Sequence, residues 1–92
     1  MVKKAIQITV FGKVQHVGFR YSAQKVANDL GLCGYVKNLP DGNVFIEVGG
    51  DSENLEKFEQ WCLKGPSLAK VLSIKSEEIE FKETNTFSIK VW

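Results

Sequence analysis

The chain opens on strict alternation. Over residues 4–12, KAIQITVFG, the side chains of Ile6, Ile8 and Val10 fall on one face and those of Gln7 and Thr9 on the other, which is the pattern of a half-buried strand. The period then lengthens. In residues 22–31, SAQKVANDLG, Ala23, Val26, Ala27 and Leu30 recur at helical spacing, with Ser22 placed to cap the helix and Gly31 to stop it. Alternation returns in GYVKNLPDGNVFIEVGG, where Tyr35 and Val36 open a short strand and Leu39-Pro40-Asp41-Gly42 supplies a turn. Val44, Ile46 and Val48 build a second strand, which Gly49 and Gly50 are expected to break. Asp51 or Ser52 then caps a second helix, ENLEKFEQWCLK, with Leu55, Phe58 and Cys62 as its apolar stripe and Trp61 flanking it. Gly65-Pro66 ends that helix.

The tail holds further strand-like segments. Leu72 and Ile74 alternate in AKVLSIKS, Ile79 and Phe81 in EIEFK, and Phe87, Ile89 and Val91 in FSIKVW. The first two segments are one residue out of phase, so a bulge, bend or turn is expected near Ser76 to Glu78. The order strand, helix, strand, strand, helix, then one or two strands implies an α+β fold. The expected form is a ferredoxin-like βαββαβ sandwich, a mostly antiparallel sheet with two helices packed on one face.

At 92 residues the chain has room for one core, so residues 1–92 are read as one domain. A net charge of +1 argues against broad capture of nucleic acid or an anionic membrane. An RNA-binding version of the fold would display several aromatics on its third strand, and GNVFIEV offers only Phe45. Nothing approaches the roughly 18 apolar residues of a membrane span. The alternation after Lys4 distinguishes the start from a signal peptide, so a cytoplasmic protein is expected. Cys33 and Cys62 fall at opposite ends of the expected topology and are read as free, partly buried thiols.

Several chemistries lack their residues. One histidine and two cysteines without ligand spacing do not make the usual zinc site. No serine motif stands beside the histidine, and the nucleotide P-loop pattern is absent. The acidic residues of 77–83 and of the second helix read as a solvated face. What remains is GKVQHVGFR, residues 12–20, which joins the first strand to a helix. The first amides of a helix lack internal partners and, with the helix dipole, favour an anion. Gly12 and Gly18 allow backbone angles that turn successive amides into one concavity. Arg20 stands at its mouth, where a guanidinium can grip two phosphate oxygens.

These nine residues resemble the first signature of the acylphosphatase family, a glycine, then Val-Gln-Gly-Val, then an aromatic-arginine pair. Gly34-Tyr35-Val36-Lys37-Asn38, followed by Gly42, Val44 and Gly50, resembles its second. The resemblance implies hydrolysis of the carboxyl-phosphate bond of a small-molecule acyl phosphate by a monomer, without metal or other cofactor. It implies that Arg20 binds the phosphoryl group and that the backbone amides of Gln15, His16, Val17, Gly18, Phe19 and Arg20 form the phosphate-binding loop. It further implies that Asn38 orients the attacking water. Read without the resemblance, Asn38 is as well explained as a turn-former before Leu-Pro-Asp-Gly, and Phe19 as an anchor beneath the loop.

His16 departs from the pattern, standing where the family usually has glycine. The expectation is that the loop accepts it with a negative φ and works normally. Two alternatives stand beside it. The loop is distorted, leaving a module that binds phosphate or carbamoyl phosphate with weak turnover, or the imidazole itself contributes a hydrogen bond or charge to the anion.

Overall fold

A computed structural model describes residues 2–91. The elements run β1 (Lys3–Lys13), α1 (Phe19–Asp29), β2 (Cys33–Asn38), β3 (Val44–Asp51), α2 (Ser52–Lys64), β4 (Lys70–Ile79) and β5 (Phe87–Lys90). The strands form one sheet in the order β4-β1-β3-β2-β5. Pairing is antiparallel throughout, except that β5 lies parallel to β2. The arrangement is the expected ferredoxin-like α+β fold, with β5 added at the outer edge beside β2.

Both helices cover one face, α1 over β2 and β5 and α2 over β1, β3 and β4. The alternation dictates which side chains meet them. Ile8 and Val10 of β1, Val36 of β2, and Val44, Ile46 and Val48 of β3 are buried against Phe19, Ala23 and Ala27 of α1 and Leu55, Phe58 and Cys62 of α2. Phe58 is the hub, its ring 5.9 Å from that of Trp61 and 6.0 Å from that of Phe87.

Helix α1 stops where expected. The amide of Gly31 donates to Asn28 O (3.1 Å) and that of Leu32 to Ala27 O (2.9 Å). This is the Schellman closure, and it places Gly31 at a left-handed φ of 68°. The other end differs from expectation. The helix begins at Phe19 with Gly18 as N-cap, and Ser22 lies inside its first turn, donating its amide to Gly18 O at 3.0 Å. The helical period begins before the apolar residues that reveal it, because Phe19, buried 5.2 Å from the ring of Trp61, pins the first residue to the core.

Two further expectations are corrected. Gly49 and Gly50 do not break β3, which continues to Asp51. They are spacers: a Cβ on Gly49 would stand 2.9 Å from the Phe81 ring, and one on Gly50 would stand 2.6 Å from the Leu32 side chain. Nor is there a bulge between Ser76 and Glu78, where the register with β1 is regular. The irregularity lies earlier, since Phe11 pairs with Ser73 but Gly12 with Val71, so Leu72 is the extra residue. Ile74 pairs with Val10 on the helix side, whereas Ile79 pairs with Ala5 on the opposite face. The apparent phase slip is an edge strand with apolar residues on both faces.

Both cysteines are free, Cys33 half-buried and Cys62 buried in α2. Burial pushes the Cys62 thiol far up, and the neighbouring Glu59 adds to the effect. Because the thiolate is the nucleophile, an alkylating reagent at pH 8 should label Cys33 in the native protein and Cys62 only in denaturant, as read by mass spectrometry. Phe58→Ala should cost about 3–5 kcal/mol in urea denaturation. Leu72→Ser, at an 82% exposed bulge, should stay within about 0.5 kcal/mol.

Candidate functional site

The site begins where β1 runs out. Val14 is buried beneath the loop and Phe19 beneath the helix start, so residues 15–18 must turn the chain between two fixed points. They do so with two left-handed residues, His16 at φ 62° and Gly18 at φ 77°. The expectation of a negative φ at His16 is therefore overturned. Histidine takes the conformation glycine would take, at a cost of about 1 kcal/mol. The backbone hydrogen bonds outside the helices and strands include none donated by residues 15–20. Left-handed residues on either side of Val17 form the kind of concavity that aims such amides at one anion. No acidic residue occupies the first turn of α1, whereas Glu53 occupies that of α2, so the positive end of the α1 dipole is left uncompensated.

Arg20 rises from that first turn, half-buried, and its Nη1 donates to Lys90 O at the end of β5 (3.4 Å). Asn38 closes β2 on the same face as Val36. Its Oδ1 is buried and accepts no hydrogen bond, which is costly for an amide oxygen unless a donor is supplied from outside the protein. The following turn does not use that oxygen. Leu39 N donates to Asn43 O (2.8 Å), Gly42 N to Leu39 O (3.2 Å) and Asn43 N to Asp41 Oδ1 (3.0 Å). The turn-forming explanation of Asn38 thus loses its hydrogen bond.

Arg20, Asn38, His16, Gly18, Tyr21 and Ile89 line one depression of about 190 Å³. Two of the sequence-predicted loop residues do other work. Phe19 is the buried anchor, and Val17 packs half-buried against the core. The side chain of Gln15 turns away to bind the hairpin, its Nε2 donating to Leu39 O (2.8 Å) and Asn43 O (2.9 Å). These bonds tie the loop to the turn that follows Asn38. Sequence reasoning assigned Gln15 only its backbone amide, and no periodicity signals partners 24 and 28 residues away. A larger depression of about 590 Å³ lies on the helix-free face, around Tyr35 and Glu47, and contains neither Arg20 nor Asn38. Among the described residues no group of three or more His, Cys, Asp or Glu is placed to hold a metal, and no helix is long and apolar enough to cross a membrane.

A loop with two left-handed residues, an arginine and a buried amide oxygen thus come together at one end of a ferredoxin-like α+β sheet, a set of groups with the chemistry to receive an anion. Comparison with known proteins agrees. The family model described as Acylphosphatase matches residues 6–89. An acylphosphatase of Archaeoglobus fulgidus is 44% identical over 85 residues, covering 92% of this chain and 96% of that one. The structure of an acylphosphatase from Coxiella burnetii superposes with a TM-score of 0.92 at 36% identity, covering 96% and 93% of the two chains. Full-length HypF, in a phosphate- and nucleotide-bound form, matches 97% of this chain with only 12% of its own, at a TM-score of 0.85 and 34% identity. The chain belongs to the acylphosphatase family.

Relief of the left-handed strain should make His16→Gly more stable than the wild type by up to about 1 kcal/mol, less the glycine's extra unfolded-state entropy. His16→Val, β-branched at the same φ, should lose about 1 kcal/mol or more. Chemical denaturation of the three proteins side by side checks both signs.

Proposed function

We propose that the depression at the start of α1 hydrolyses acyl phosphates, with Arg20 and the amides of residues 15–20 holding the phosphoryl group and Asn38 holding the water. As a member of its family the chain is an acylphosphatase, a hydrolase acting on a small-molecule acyl phosphate. The observation that carries the residue assignment is that Asn38, whose buried Oδ1 has no partner, lines the same depression as Arg20.

Phosphoryl transfer spreads negative charge over three equatorial oxygens, so donors fixed in advance lower its barrier. The guanidinium supplies a two-pronged donor, and the amides beside His16 and Gly18 supply the rest. Asn38 Oδ1 accepts a hydrogen bond from a water and fixes it for attack. The water oxygen bonds to phosphorus while the electron pair of the breaking P–O bond leaves on the carboxylate, which is stable as an anion and needs no general acid. An amide is a poor base, so the water's proton passes to a phosphate oxygen of the substrate. All these groups come from one chain, and residues 1–92 acting as a single-domain monomer suffice for the reaction.

Arg20→Ala and Asn38→Ala should each lower kcat/KM on a synthetic acyl phosphate by about 100-fold or more, with unchanged circular dichroism and with a chelator present throughout. Full activity in Arg20→Ala would sink the assignment.

A further inference from the structure

The depression has a direction. Of the residues that line it, Asn38 is half-buried with its Oδ1 buried, whereas His16 and Gly18 are exposed and Tyr21 is 70% exposed. In phosphoryl transfer the attacking and leaving oxygens lie roughly in line across phosphorus. A water held on the more buried, Asn38 side therefore sends the leaving carboxylate, and the acyl group attached to it, toward the exposed side where Tyr21 stands. Resting on the function proposed above, we infer that Tyr21 is the acyl-side contact of the site and that its ring favours substrates with a flat, apolar or aromatic acyl group.

Three observations on the chain carry this. Tyr21 follows Arg20 directly in the first turn of α1, so its ring is carried on the element that grips the phosphoryl group. Six large apolar side chains of the described residues are exposed, namely Val2, Tyr21, Leu63, Leu68, Leu72 and Val91, and of these Tyr21 alone lines this depression. The other exposed lining residue with a planar side chain is His16, whose backbone is left-handed. An aromatic ring left in water at the exit of a site offers apolar surface that a methyl group covers poorly and a phenyl ring covers well. At about 190 Å³ the depression leaves little room for an acyl group, so discrimination falls to its exposed side.

The test compares acetyl phosphate with benzoyl phosphate, in chelator, for the wild type, Tyr21→Ala and Tyr21→Phe. Thermal melts confirm that each variant is folded. The expected result is a KM for benzoyl phosphate raised about three- to tenfold in Tyr21→Ala, with KM for acetyl phosphate within about twofold and Tyr21→Phe like the wild type on both. Equal losses on the two substrates, or no loss on either, would overturn the inference. So would a Tyr21→Phe that behaves like Tyr21→Ala, because the hydroxyl and not the ring would then be the contact. A wild type that hydrolyses neither substrate would instead overturn the function on which the inference rests.

Discussion

Between β1 and α1 the chain must pass from a strand to a helix while Val14 and Phe19 both remain in the core. With the two ends pinned, the turn has few solutions, and the one adopted places His16 and Gly18 at positive φ. That backbone does three things at once. It begins α1 at Phe19 and not at the apolar residues farther along, it leaves the amides of residues 15–20 without backbone partners, and it brings Arg20 into the lining of the depression. The cost is local strain of about 1 kcal/mol at a non-glycine residue. Such a cost persists only where the surrounding packing enforces the conformation, and here the buried Phe19–Trp61 contact does so.

The two halves of the site meet through hydrogen bonds as well as through the sheet. Asn38 lies at the end of β2, beside β5, and Arg20 on α1 reaches β5 through Lys90 O. Gln15 closes the loop onto the Leu39–Asn43 turn. The loop, the turn after Asn38 and the end of β5 are thus held to one another by partners that leave the Asn38 oxygen free of protein donors. A preorganised arrangement of this kind suits a reaction whose main requirement is that charge be met where it develops.

The helix-free face follows a different logic. Tyr35 and Phe45 stand with ring centroids 6.2 Å apart, and Lys90 Nζ lies 4.1 Å from the Tyr35 centroid and Lys37 Nζ 5.7 Å from that of Phe45. Phe45 is the only aromatic of β3, and Tyr35 comes from β2. Cross-strand pairing of β2 with β3 brings the second one alongside. Lysine stems and ammonium groups cover these rings.

Local periodicity was enough for the strands β1 and β3, the stripe Leu55–Phe58–Cys62 and the Schellman end of α1, because each depends on which neighbours along the chain share a face. The two signatures likewise placed Arg20 and Asn38 in one reading, and both line one depression. What depends on partners distant in sequence was not legible. Gly49 and Gly50 look like breakers until Phe81 and Leu32 are seen against them. Ile74 and Ile79 look out of register until the sheet shows that an edge strand buries apolar groups on both faces. His16 looks able to choose its φ until Val14 and Phe19 fix the ends of its loop. The sequence by itself determined the period of each element and the kinds of group at the site. Tertiary structure alone decided the left-handed turn, the Gln15 ties and the isolation of the Asn38 oxygen, because each depends on the distance between segments that only the folded sheet brings together.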